Sequence, residues 1–117
     1  MLTRSEYMNL HGLTCTNNQW SWVLVNHNKK YIVVQKPNKN SKEVYNPAWG
    51  KPNQPSHSDF KKHLVLVESE DYGVKMADME GYVGEDGKYH ITGYHKALYD
   101  AELVFLDDGI VEAKFVF

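Results

Sequence analysis

The 117-residue sequence is poor in features that mark several large protein classes. Its single cysteine, Cys15, cannot form a disulfide within the chain, which agrees with a reducing compartment. No apolar run approaches the roughly 18 residues that span a bilayer, and the polar start MLTRSEYMNLHG has no hydrophobic signal region. We therefore expect one cytoplasmic domain covering residues 1–117, with no membrane partner.

The common catalytic motifs are also missing. The sequence contains no Gly-x-Ser-x-Gly nucleophile elbow and no glycine-rich phosphate loop. Six histidines are present without the close-spaced Cys and His pairs of zinc sites, and strand alternation is expected to place His90 and His95 on opposite faces. A lone cysteine is more often a small buried hydrophobe than a nucleophile. We predict that the chain is not an enzyme and that it holds no metal or other cofactor.

The net charge is small, but the charged residues are unevenly distributed. The net charge is -2, yet residues 1–62 carry nine Lys and Arg against three Asp and Glu, whereas residues 63–117 carry four against twelve. Such asymmetry is a hint of a face that binds a polyanion. The alternative is that lysines and acids interleave once the chain is folded.

Helix and strand signals are clear in two regions of the first half. Thr3 or Ser5 as N-cap, Glu6 in the first turn and Gly12 as a stop predict a short N-terminal helix. Aromatic and β-branched residues predict strands over 20–26 and 29–36. Asn28, which tolerates left-handed backbone, predicts a hairpin turn between them.

The middle of the chain combines a long loop with the strongest helix signal. Residues 37–58 contain all four prolines, and a loop of this length in a compact domain is usually functional or disordered. Ser58 is the expected N-cap of the helix that follows, and Gly73 is its expected stop. Apolar residues recur along its buried stripe at Phe60, Leu64 and Val67.

Four further strands are predicted over 74–83, 88–95, 101–106 and 110–117, separated by turn signals such as GEDGK and DDG. Together these signals predict an α+β fold with a bent mixed or antiparallel sheet of about six strands, one main helix and a short N-terminal helix.

The stretch TCTNNQWSWVLVN carries the most distinctive chemistry. Alternation places Trp20 and Trp22 on one face of a strand that is apolar on both faces past Trp22, which predicts a central strand covered on each side. The tryptophans then either fill the core or, with Tyr45 or Trp49 from the long loop, form a cage that stacks a base. Polar neighbours that offer hydrogen bonds to the edge of a base are Asn17, Asn18, Gln19 and Ser21.

Three stretches resemble a known family. TCTNNQWSWVLVNHNKKYIVV, HLVLVESEDYGVK and YHITGYHKALYDAELVFLDDGIVEAKF are similar, in this order, to the N-terminal, non-nuclease part of bacterial HNH-type restriction endonucleases, with an Asn-x-x-Trp-Ser-Trp strand among the shared motifs. The resemblance covers about residues 12–117. It implies a module that recognises double-stranded DNA, with modified bases as an expected target, for an attached HNH nuclease domain. This sequence has no HNH motif of its own.

The leading hypothesis is therefore a DNA-binding module that reads a base and holds the backbone with lysines. The expected base-binding residues are Trp20, Ser21, Trp22, Tyr45, Trp49, Asn17 and Asn18. The expected phosphate-binding residues are Lys29, Lys30, Lys36, Lys39, Lys42 and Lys51. Two other classes stay open: a small interaction or inhibitor protein, such as a phage or mobile-element anti-defence factor that works through the acidic second half, and a small-molecule or nucleotide-binding protein.

Overall fold

The computed structural model describes residues 1–17, 23–36, 55–86, 89–105 and 111–115. Two helices and five strands occur in these residues. In chain order they are α1 (Arg4–His11), β1 (Val23–Asn26), β2 (Tyr31–Lys36), α2 (Pro55–Ser69), β3 (Gly73–Val83), β4 (Tyr89–Phe105) and β5 (Val111–Phe115).

The short N-terminal helix is confirmed, together with its cap. Thr3 Oγ1 accepts a hydrogen bond from Glu6 N (3.2 Å), and Thr3 N donates to Glu6 Oε1 (3.0 Å), which completes a reciprocal capping box. Gly12 ends the helix with a φ of 66°, a left-handed conformation that glycine adopts without steric cost. Tyr7 is the fully buried residue of α1 and anchors it to the sheet.

The predicted hairpin is also confirmed, since β1 and β2 pair antiparallel from Val23 to Asn26. Its turn is built differently from the expectation. Lys30, rather than Asn28, is the turn residue with positive φ, at 58°. Asn26 accounts for the difference, because its Oδ1 accepts a hydrogen bond from Lys29 N (2.9 Å) and so sets the start of the turn.

A helical crossover joins β2 to β3, which pair parallel from Tyr31 with Gly73 to Lys36 with Asp78. The connecting helix α2 begins at Pro55, so the expectation of Ser58 as its N-cap is wrong. Proline is favoured in the first helical position because its missing N–H would have no intrahelical acceptor there. Phe60 is buried, and Leu64, Leu66 and Val67 pack beside it as the apolar spacing predicted.

The described residues form five strands, where about six were expected. The two segments predicted over 88–95 and 101–106 correspond to one 17-residue strand, β4, over residues 89–105, because the intervening KALYD contains no glycine or proline to turn the chain. β4 pairs antiparallel with β3 through residues 89–100 and with β5 through residues 101–105.

Two irregularities interrupt the pairing of β3 with β4. Thr92 is an extra residue between the pairs Gly81–Ile91 and Glu80–Gly93, and residues 95–97 oppose Asp78 alone. Both irregularities bend the strand, and the single extra residue Thr92 also reverses its alternation. The predicted bent, mixed sheet follows from these bulges and from the one parallel pair.

The strands lie in the order β1-β2-β3-β4-β5, with one helix against each face. Both faces of β1 are covered, as predicted, because all four of its residues are buried. The expectation of a central position is wrong for the described strands, since β1 lies at the end of the order. There Thr14 bridges Val25 through two backbone hydrogen bonds of 2.9 Å, which covers part of the exposed edge.

The α+β class is therefore correct, with two helices and a mixed sheet. None of the helices in the described ranges has the length and apolarity needed to cross a bilayer.

Candidate functional site

The structure describes only part of the predicted recognition set. Asn17, Lys29 and Lys30 are described, and the backbone of Lys36 ends β2. The other predicted residues lie outside the described residues: Trp20, Ser21, Trp22, Tyr45, Trp49 and Asn18 of the base-binding set, and Lys39, Lys42 and Lys51 of the phosphate-binding set.

Helix α2 runs antiparallel to the two strands that it connects. Tyr72 N donates to Leu66 O (3.2 Å) and Gly73 N donates to Lys30 O (2.9 Å), which holds the end of α2 beside the turn of the first hairpin. The helix has 15 residues and is about 22 Å long. Its first turn therefore lies at the opposite end of the sheet, where β2 finishes.

We call this opposite end the site end; it comprises Asn17, Val23, the backbone of Lys36 and the first turns of α2. The end at residues 27–30 is the turn end. The chain before β1 contacts α2 directly at the site end, where the hydroxyl of Thr16 donates a hydrogen bond to Asp59 Oδ1.

The site end also holds the residues that flank the two stretches with the predicted aromatics. Residues 18–22 are joined to the described chain at Asn17 and Val23, and residues 37–54 are joined at Lys36 and Pro55. All four joining residues belong to one end of the sheet. A site that uses both stretches is therefore connected to a single place in the fold, although the chain positions 20 and 49 are far apart.

Asp59 and His63 form a buried polar pair at this end. Asp59 is 3% exposed and His63 is 7% exposed. His63 Nδ1 lies 2.7 Å from Asp59 O, so it carries a proton and donates to that carbonyl. Asp59 Oδ1 accepts from Thr16, whereas none of the described residues donates a hydrogen bond to the buried Asp59 Oδ2. The carboxylate can therefore accept a further hydrogen bond at Oδ2.

The turn end contains an open cleft of about 410 Å³ between α1 and the first hairpin. Its lining is mostly polar and comprises Asn9, Leu10, His11, Gly12, Asn26, Asn28, Lys29 and Tyr31. Asn26 joins the two walls, since its Nδ2 donates to His11 O (3.0 Å) while its Oδ1 accepts from the turn.

The predicted phosphate-binding lysines do not form one cluster. Lys29 and Lys30 are exposed at the turn end, whereas Lys36 belongs to the site end. The six residues of β2 separate the two groups by about 20 Å. A ligand that contacts both groups must therefore be extended along the sheet.

Beyond Asp78 the hairpin of β3 and β4 extends past the end of β2. Tyr82 is 57% exposed and stacks on His90, with ring centroids 5.2 Å apart. His95 Nε2 lies 3.0 Å from Glu80 Oε1. Glu80 and Tyr82 share a face of β3, so both histidines reach that same face. The expectation of opposite faces is wrong because Thr92 adds one residue between them.

Strand order follows chain order, so the uneven distribution of charge along the sequence becomes an uneven distribution of charge across the sheet. The described exposed cations of the basic half are Lys29, Lys30, Lys61 and Lys62. The described exposed acids of β3, β4 and their connection are Glu80, Glu85, Asp86, Asp100 and Glu102. The lysines of these two strands are Lys96 and Lys75, and Lys75 Nζ lies 2.7 Å from Asp100 Oδ1. Acids also follow α2 at the turn end: Glu68, Glu70 and Asp71.

A polar network under α1 has no counterpart in the sequence predictions. Tyr94 OH donates to the fully buried Gln35 Oε1 (2.5 Å), and Arg4 Nη1 donates to the same oxygen (3.1 Å). Tyr7 stacks on Tyr94, with centroids 5.1 Å apart. Burial raises the pKa of Tyr7, with a smaller contribution from neighbouring Tyr31. Burial also raises the pKa of Tyr94, although Arg4 opposes the rise. Both phenols are therefore neutral at physiological pH.

The reactive side chains in the described ranges do not assemble a metal centre. No group of three or more His, Cys, Asp or Glu side chains with suitable geometry occurs there. Cys15 is half-buried and packs against the core under α1.

Comparisons with protein-family models, with curated proteins and with solved structures found no match to this chain.

Proposed function

We propose that this protein is a cytoplasmic DNA-binding module that reads a base at the site end and contacts the phosphate backbone with lysines of the basic half. The base-reading residues would be Trp20, Trp22 and Trp49, together with the remaining base-binding residues predicted above. In this proposal the module recognises DNA, including DNA with modified bases, and does not cut it; an associated HNH nuclease domain is the proposed partner.

The observation that carries this proposal is the position of the flanking residues. Asn17, Val23, Lys36 and Pro55 all belong to the site end, so the two aromatic stretches are connected to the same place. Aromatic side chains from two stretches are what a stacked base needs on its two sides.

The arrangement of charge adds support. Lys29 and Lys30 are exposed at the outer hairpin, and β1 lies at the end of the strand order opposite the acidic strands. The separation of about 20 Å between this turn and the site end corresponds to about six base pairs of duplex. A duplex along the outer hairpin would therefore reach both groups of lysines while it avoids the acids of β3 and β4.

The test of base stacking is a binding titration of a labelled duplex, with and without a modified cytosine, by wild type and Trp22→Ala. The variant is expected to lose about 1–3 kcal/mol of binding free energy while it keeps its thermal unfolding transition. Unfolding of the variant would assign Trp22 to the core. Absence of binding by the wild type at low salt would rule out the proposal.

The test of the basic hairpin is the salt dependence of the same titration. The double variant Lys29→Gln/Lys30→Asn is expected to lower the slope of log affinity against log salt by about 2, because two phosphates are no longer neutralised by lysine. Asn suits the positive φ of position 30. The matched control, Lys75→Gln/Lys96→Gln, removes the same charge from β3 and β4 and should leave the slope unchanged. Equal effects of the two variants would contradict a specific contact by the hairpin.

A second candidate function is an interaction with a basic partner protein. The exposed stack of Tyr82 on His90, beside Glu80 and Asp86, favours this reading of the acidic half. Such binding would survive the loss of Lys29 and Lys30, whereas DNA binding would weaken. A nucleotide-binding protein, the third class, would show no steep salt dependence.

A further inference from the structure

The most unusual polar atom at the site end is Asp59 Oδ2. The Asp59 side chain is 2% exposed, and this oxygen, although buried, has no hydrogen-bond partner within the described ranges. A buried acceptor without a donor is costly, so it is retained mainly where it serves a purpose. The position of Asp59 in the second turn of α2 adds a favourable helix dipole for its charge but supplies no donor to Oδ2.

Two exposed residues contact or adjoin the buried carboxylate. Thr16, whose hydroxyl donates to Asp59 Oδ1, is itself exposed, and so is Ser58, which precedes Asp59. Thr16 and Ser58 are therefore the exposed residues past which a ligand would approach the carboxylate. Asn17, next to Thr16, is the residue at which the stretch 18–22 begins.

The chemistry of Asp59 and His63 indicates which kind of ligand could bind there. A metal ion would need more ligands than Asp59 and His63 offer, and no three-ligand group occurs in the described part of the chain. A carboxylate with an open oxygen accepts hydrogen bonds from N–H donors, and the N4 amino group of cytosine is the base donor that Asp and Glu commonly accept from. Thymine and uracil have a carbonyl oxygen in that position, which a carboxylate repels.

We infer that Asp59 reads the exocyclic amino group of a cytosine-type base, including cytosines modified at carbon 5, while Thr16 orients the carboxylate. This inference rests on the DNA-reading function proposed above and names the class of base that it recognises. Because modification at carbon 5 leaves the N4 amino group intact, Asp59 selects the base and other residues would sense the modification.

The test uses three labelled duplexes that differ in one unpaired central base: cytosine, 5-methylcytosine or uracil. An unpaired base removes most of the cost of extrusion, so the affinities report on recognition. Wild type is expected to prefer either cytosine probe to the uracil probe by about tenfold. Asp59→Asn, which presents an amide in place of the carboxylate, should reduce this preference to about twofold or less.

The matched control is Asp71→Asn, which removes the same charge from the turn end at a residue with a φ of 58° that Asn tolerates. It should raise affinity for all three probes equally and keep the preference. Thr16→Val, which keeps the shape of the side chain, removes the hydrogen bond that orients the carboxylate and should lower the preference for cytosine by up to about fivefold.

The outcomes separate the two proposals. Failure of wild type to bind any probe at low salt would overturn the DNA-reading function and this inference with it. Binding by wild type without preference, or an equal preference in wild type and Asp59→Asn, would overturn the role of Asp59 alone. If Asp59→Asn fails to fold, Thr16→Val decides, and an unchanged preference in that variant counts against the inference.

Discussion

The two faces of the sheet bury side chains of different chemistry. Under α2 the core is aliphatic apart from one phenylalanine; it comprises Val23, Val25, Ile32, Val34, Phe60 and Met76. Under α1 the core contains three tyrosines, Tyr7, Tyr31 and Tyr94, with the polar Gln35 beside them. The aliphatic face depends on the removal of apolar area from water, whereas the tyrosine face also depends on hydrogen bonds that must all be made.

The largest expected effect is on the aliphatic face. Phe60→Ala should lower the free energy of unfolding by about 3–5 kcal/mol, because it removes a ring at the centre of that core. Urea denaturation gives the value. Val65→Ala on the same helix, at a side chain that is 55% exposed, is the control and should change stability by less than about 0.5 kcal/mol. Similar losses in both variants would mean that α2 packs through another face.

Removal of one hydroxyl group from the tyrosine face should lower the stability of the protein. Tyr94→Phe removes the donor to Gln35 and is expected to cost about 1–3 kcal/mol, although the ring and its stack on Tyr7 remain. Tyr82→Phe, on the exposed stack with His90, makes the same chemical change and should be neutral. A neutral Tyr94→Phe would show that Arg4 alone satisfies Gln35 and that the network adds no stability.

Alkaline pH should weaken the tyrosine face selectively. The pKa values of Tyr7 and Tyr94 are raised in the folded protein, so their stabilising effect is complete below the unfolded pKa of about 10 and is lost as pH rises above it. Urea midpoints measured at pH values on both sides of about 10 should fall in wild type and fall less in Tyr7→Phe. The same decline in both proteins would assign the alkaline sensitivity to other groups.

The smallest effect is expected at the start of α1. Thr3→Ala removes one half of the capping box and should cost about 1 kcal/mol, whereas Thr3→Ser should be close to wild type. The hydrogen bonds from Thr3 also lower the pKa of Glu6. The stabilisation from Glu6 is therefore present above its unfolded pKa and is lost as pH falls, and this acid dependence should be weaker in Thr3→Ala.

Local signals in the sequence were enough for elements that depend on neighbouring residues. The capping box of α1, the stop at Gly12 and the apolar stripe of α2 involve residues within a few positions of each other. The hairpin of β1 and β2 is likewise a local structure. These elements agree with the prediction except at three points: α2 begins at Pro55, it ends at Ser69 and not at Gly73, and Lys30 instead of Asn28 has positive φ in the hairpin turn.

Features that depend on distant residues were not predictable in the same way. The burial of Gln35 needs Tyr94, which is 59 positions away, and the link of Asn26 to α1 needs His11 O. The extra residue Thr92 exists only relative to the pairing partner of β4. Alternation along one strand therefore could not place His90 and His95 on the correct face.

The candidate site likewise has a part that the sequence predicts and a part that depends on contacts between distant residues. The residue types of a base-reading pocket are visible in the sequence, and the site end connects the two stretches that carry most of them. Asp59 was not among the binding residues predicted from the sequence. The burial of its side chain depends on the tertiary fold, which includes the contact with Thr16, 43 positions earlier, and no local pattern encodes that contact.

The order of the strands has a consequence for the way the chain reaches its fold. Three of the four strand pairs join neighbours in sequence through antiparallel contacts, and such pairs close short loops at low entropic cost. The parallel pair of β2 with β3 is different, because it forms only after residues 37–72 have been brought back across the sheet. We expect that closure to limit the rate of folding, with the two hairpins on either side of it forming first.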